Sequence, residues 1–142
     1  MSNFIEEFIK QNESVLAFLD LMRRDYVNRD LNFEATKNFL ALSKYNAALG
    51  VDVANLAQIL DKSENYADYD FDDISHLFES LIKLQEFNLK TYLEAGHFEW
   101  AVMDKKDKAL QIATAGIAKA NQAINELSQL CVKIENDSSS IA

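Results

Sequence analysis

Apolar residues recur along this chain at alternating spacings of three and four, in four separate stretches. In the first, Ile5, Phe8, Val15, Leu19, Met22 and Tyr26 keep the rhythm, and Asn12 fills one place. In the second, Phe39, Leu42, Asn46, Leu49, Val53, Leu56 and Leu60 take seven successive places. The third holds Ile74, Leu77, Leu81 and Leu84, widened by Phe78, Ile82, Leu89 and Leu93. The fourth runs Leu110, Ala113, Ile117, Ala120, Ile124, Leu127, Cys131 and Ile134 without a slip. A period near 3.5 keeps one side of a helix turned towards its neighbours. A strand needs alternation by two, which no stretch has.

The breaks between stretches carry turn chemistry. Asn28 to Asn32 supplies side chains that cap a new helix. Asp61 to Asp72 reads as a longer connection ending in a helix start at Asp70-Phe71-Asp72-Asp73. Gly96 and the cap candidate Asp104 place a third interruption between Ala95 and Asp104. Without it, one helix would run for roughly 90 Å, which a lone domain rarely tolerates. The expected fold class is all-α: an antiparallel up-down-up-down four-helix bundle with heptad-like seams, about 40 Å long. It forms one domain over residues 1–135, with a frayed polar tail at 136–142. Asn12, Asn46 and Asn88 fall at or beside seam positions. They form either a buried polar layer that fixes register or three solvent-facing side chains. The last seam is lined by Ala109, Ala113, Gly116, Ala120 and Ala123, small enough for close approach to a neighbouring helix or to a second copy.

Composition narrows the class. Of 142 residues, 49% are hydrophobic, only 3 are Gly and none is Pro, which excludes a disordered tail and argues against a loop-rich β fold. No apolar run approaches the ~18 residues of a membrane span. The acidic start, Glu6-Glu7, lacks the basic flank of a signal peptide, and the lone Cys131 allows no internal disulfide. A cytoplasmic setting is expected.

Charge narrows the partners. Lys and Arg number 14 against 23 Asp and Glu, a net charge of -9. Such a surface repels phosphate backbones, so no direct nucleic-acid binding is expected, and it favours another protein with a basic surface. Asp61, Glu64, Asp68, Asp70, Asp72, Asp73 and Glu79 are opposed only by Lys62 in their stretch. Tyr66, Tyr69 and Phe71 interleave with these acids, giving an acidic-aromatic strip suited to an Arg- and Lys-rich partner. The candidate partner-binding residues are therefore Tyr66, Asp68, Tyr69, Asp70, Asp72 and Asp73. The same stretch also offers a candidate calcium site from Asp68, Asp70, Asp72 and Glu79. It matches the D-x-D-x-D-G-x5-E spacing except that Asp73 replaces the glycine. The competing reading is an acidic helix start, with Asp72 as cap and Asp73 beside the positive helix end.

Catalytic chemistry is thin. There is no Gly-rich phosphate loop, no G-x-S-x-G and no H-E-x-x-H. Asp73-x-x-His76 and Glu94-x-x-His97 have the spacing of bundle di-iron ligands but lie about 30 Å apart on one expected helix. Cys131 reads as a buried small hydrophobe and Trp100 as a plug at the end of the core. No cofactor is implied. The stretch from Ala109 to Leu130 resembles, in composition alone, the Ala/Gln/Asn-rich amphipathic helices of granule-coating phasins, over less than a fifth of the chain. The leading functional expectation is a non-enzymatic acidic binding module of the inhibitor, immunity or chaperone type. The first alternative is a structural or coating protein, phasin-like or self-assembling (a homo-oligomer), and the second is a metal-binding protein.

Overall fold

The computed structural model describes residues 3–60 and 69–137, with Phe8 described only by its place in a helix. All its regular structure is helical, and no strand occurs among the described residues, as the spacing predicts. The helices are six rather than four among the described residues, and they fall into two compact units, Met1–Asp68 and Tyr69–Ala142. The polar tail beyond residue 137 lies outside the described residues.

In the first unit, α1 (Phe4–Val27) starts where the Asn3 side chain accepts hydrogen bonds from the backbone N–H groups of Ile5 and Glu6. Glu6 and Glu7 sit in its first turn, where the helix dipole favours negative charge. The turn expected at Asn28 to Asn32 is present. Arg29 takes a left-handed φ of 56°, and the Asn32 side chain then caps α2 (Phe33–Ser43).

The unbroken second helix predicted from Phe39 to Leu60 is not found. The chain leaves α2 at Lys44, forms a 3₁₀ turn (Ala47–Leu49) and resumes as α3 (Gly50–Ala57). Asn46 is the cause. Its side-chain oxygen accepts from the Ala48 N–H at 3.0 Å, offering the backbone a local alternative to the helix. The bend leaves Leu42 exposed, while Leu19, Met22, Phe39, Leu49 and Leu56 make the core, flanked by Phe18, Tyr26, Leu31 and Val53. On α1, Leu19 and Met22 are buried, whereas Ile5, Ile9, Val15 and Leu16 are exposed.

In the second unit, α4 (Phe71–Leu84) begins within the expected Asp70–Asp73 start, but the cap is Asp70 rather than Asp72, which lies inside the first turn. The third helix also carries an interruption that the spacing does not predict. Gln85 leaves the helical region, the Asn88 N–H donates to the Gln85 carbonyl at 3.0 Å, and α5 (Leu89–His97) follows. The Tyr92 hydroxyl donates to the freed Glu86 carbonyl at 2.7 Å and locks this corner. A π-helical turn (Phe98–Val102) ends α5 inside the expected interval. There Asp104 supplies a left-handed residue (φ 56°) rather than a side-chain cap. The last helix, α6 (Lys106–Glu135), is 30 residues long.

Ile74, Phe78, Leu81, Tyr92, Ala95, Phe98 and Ala109 are buried in this unit. The Phe98 ring lies 5.5 Å from Phe78 and meets Phe71 edge-on at 6.1 Å. Asn12 is exposed, Asn46 is a cap and Asn88 belongs to a corner, so the three asparagines form no buried layer.

Candidate functional site

The acidic-aromatic strip is largely absorbed into the start of α4. Tyr66 and Asp68 lie outside the described residues, and Tyr69 is half-buried. Asp70 and Asp73 hold each other's backbone. The Asp73 N–H donates to Asp70 Oδ1 at 3.0 Å, and the Asp70 N–H donates to Asp73 Oδ2 at 2.9 Å. This reciprocal capping box occupies both carboxylates with helix-end amides that otherwise lack partners. Asp72 is exposed in the first turn, and Phe71 is half-exposed beside Phe98.

Glu79 stands two turns further along the same helix. Its Oε1 lies 2.8 Å from the Lys108 ammonium of α6, whose hydrogen bond and charge hold the Glu79 carboxyl below its ordinary value. Asp72, Asp73 and Glu79 are thus strung along one helix, whereas a calcium loop needs its oxygens to converge from an irregular loop. Among the described residues no group of three or more His, Cys, Asp or Glu is placed to hold a metal ion.

Lys108 also reaches a group that the sequence reading passed over. Glu99, in the π-helical turn, is 1% exposed. Its Oε1 accepts the Ser75 hydroxyl at 2.6 Å and lies 3.1 Å from Lys108 Nζ. Its second oxygen, Oε2, is buried and makes no hydrogen bond among the described residues. The hydrogen bond from Lys108 to Glu79, together with Glu99, pushes the Lys108 ammonium above its usual value. Ser75 and Glu99 are both sealed in the core, so the close hydroxyl–carboxylate pair offers no approach to a substrate. The available sign was one charged residue, Glu99, within the otherwise apolar run Phe98 to Met103.

The first unit has a comparable ion pair. Arg23 donates to Asp52 through Nε at 2.8 Å and Nη2 at 3.0 Å, and the Tyr26 hydroxyl donates to the same Oδ1 at 3.0 Å. Asp52 is buried, and the planar guanidinium matches its two oxygens. Burial, with the Asp52 charge second, pushes the Tyr26 phenol up to about 12. This network ties α1 to α3.

The largest departure from expectation is on α6. Its buried residues are Ala109 and Gly116. Gly116 lies beneath Tyr92 so closely that a Cβ there would come within 2.8 Å of the Tyr92 Cβ. Small residues thus seat α6 on α5, and the heptad positions are left pointing elsewhere. Ile117, Ile124, Leu127 and Ile134, expected in the core, are 63%, 58%, 63% and 61% exposed. Cys131 is exposed as well, and so is Trp100, which plugs no core.

Near its start the α6 seam opens into a groove of about 470 Å³ against α5. Tyr92, Leu93, Gly96, Trp100, Leu110 and Ala113 line it, together with His97 and Lys106. No helix among the described residues is long and apolar enough to cross a membrane. In comparisons with protein-family models, curated proteins and solved structures, the chain matches none.

Proposed function

We propose that this chain is a non-enzymatic helical interaction protein of the self-assembling or scaffolding type. It works through the apolar face that α6 and the groove beside α5 present. The observation that carries this reading is the exposure of Ile117, Ile124, Leu127 and Ile134 on a heptad seam of eight positions that never slips. A regular seam of this kind is the surface that helices use to pack on one another. In this reading the antiparallel bundle that the spacing suggests is completed by association rather than within one lone unit. A reducing, cytoplasmic setting keeps the exposed Cys131 a thiol.

The acidic-partner reading keeps one specific support, the exposed Asp72 beside half-exposed Phe71. It is the second choice because the capping box already occupies Asp70 and Asp73. Direct binding to phosphate backbones has no support from a chain of net charge -9.

Affinity purification of the full chain separates the two. Proteins recovered in stoichiometric amount, including untagged copies of the chain itself, are compared for wild type, Ile117→Glu/Ile124→Glu and Asp72→Lys. Loss of association only in the α6 variant supports the assembly reading. Loss only in Asp72→Lys favours the acidic reading and removes the first.

A further inference from the structure

We infer that the α6 face pairs with the same face of a second copy, so that the chain is a homodimer in solution. This rests on the assembly reading above and names its partner. Three features of the molecule carry it.

The first is register. Knobs-into-holes packing needs a partner with the same repeat over the same length, and a second copy always supplies one. Leu110, Ile117, Ile124 and Cys131 take one set of seam places, and Ala113, Ala120, Leu127 and Ile134 the other, so the repeat is continuous over all eight.

The second is charge. A chain of net charge -9 repels its own copy across most surfaces. Between Ala109 and Asn125 the one charged residue on α6 is Lys119, which is held 3.0 Å from Glu86 and stands 5.1 Å over the Phe87 ring. The seam is flanked there by Gln111, Thr114, Ala118, Asn121 and Asn125, all neutral, so this half of the face is free of like-charge opposition, and Glu126, Lys133 and Glu135 lie on the other half.

The third is extent. From Leu110 to Ile134 the seam runs about 36 Å at the usual helical rise. A face one to two helices wide along that length covers roughly 400–700 Å². That is of the order of the ~800 Å² each partner gives to a stable pair. The apolar groove floor beside Trp100 extends the seam at one end.

Sedimentation equilibrium of the full chain, from about 1 to 100 µM, tests the inference. Wild type is expected to sediment at twice its 16.1 kDa mass over the upper part of the range. Ile117→Glu/Ile124→Glu is expected to sediment as a monomer with unchanged far-ultraviolet circular dichroism, since both side chains are exposed in the unit that holds them. Ala115→Glu/Gln129→Glu, on the exposed side of α6 away from the seam, is expected to remain dimeric. Monomeric wild type at 100 µM overturns the inference, and so does loss of the dimer in the control variant. A monomeric wild type that still captures a different protein through Ile117 and Ile124 overturns it while leaving the assembly reading intact.

Discussion

Gly116 and Gly96 both sit in helices, yet alanine should act oppositely at the two. At Gly116 an added Cβ meets Tyr92 Cβ at 2.8 Å and Cγ at 2.9 Å, so α6 must move off α5. At Gly96 the nearest atom is the Ala109 carbonyl oxygen at 3.8 Å, an ordinary contact. Alanine improves helix propensity by about 1 kcal/mol at either place. Overpacking of 1–3 kcal/mol, roughly, outweighs that gain only at Gly116. Urea denaturation should therefore find Gly116→Ala less stable than wild type and Gly96→Ala equal or more stable. Tyr26 gives a pH signature at the same scale. Its phenol is raised to about 12 by burial first and the Asp52 charge second, against about 10 in an unfolded chain. The folded state therefore binds this proton more tightly. The associated stability is fully present below about pH 10 and is lost as pH rises towards 12. Thermal melts between pH 9 and 12 should show a steeper alkaline loss for wild type than for Tyr26→Phe, whatever the latter loses in overall stability.

Helix starts are the elements most legible in the sequence, because caps are local. Asn32 and Asp70 act within three residues of the amides they bind, although the sequence points to Asp72 rather than Asp70 as the cap of α4. Asp70→Ala should lower the stability of the second unit by about 1 kcal/mol, measurable as a shift of its denaturation midpoint with an unchanged slope. Helix interruptions were less legible. Asn46 and Asn88 each occupied a place in the three-and-four rhythm, and the rhythm outvoted them. In the structure Asn46 caps a 3₁₀ turn and Asn88 closes a corner. A polar residue in a seam is thus ambiguous between a register device and a turn, and spacing alone does not separate them. The candidate strip was legible as a helix start and obscure as a surface, since a capping box and a recognition strip use the same acids. Glu99 showed in the sequence only as a charge in an apolar run, because its partners Ser75 and Lys108 lie on other helices.

For the whole molecule, helical content follows from the sequence while the choice of buried face does not. Periodicity marks a face that favours a partner, but it carries no label for whether that partner belongs to the same chain. On α6 two faces competed. The small residues Ala109 and Gly116 allow the closest approach and were taken by α5, and the larger heptad residues remained outside. The central claim is that the seam beyond Gly116 is left uncovered by the unit that holds it. Hydrogen exchange at a series of protein concentrations tests it most directly, because amides in an unpacked helix open far more readily than those in a core. In dilute protein, residues 117–135 should exchange much faster than 92–116, and should gain protection as concentration rises. Equal, concentration-independent protection of both segments in dilute protein would contradict the account.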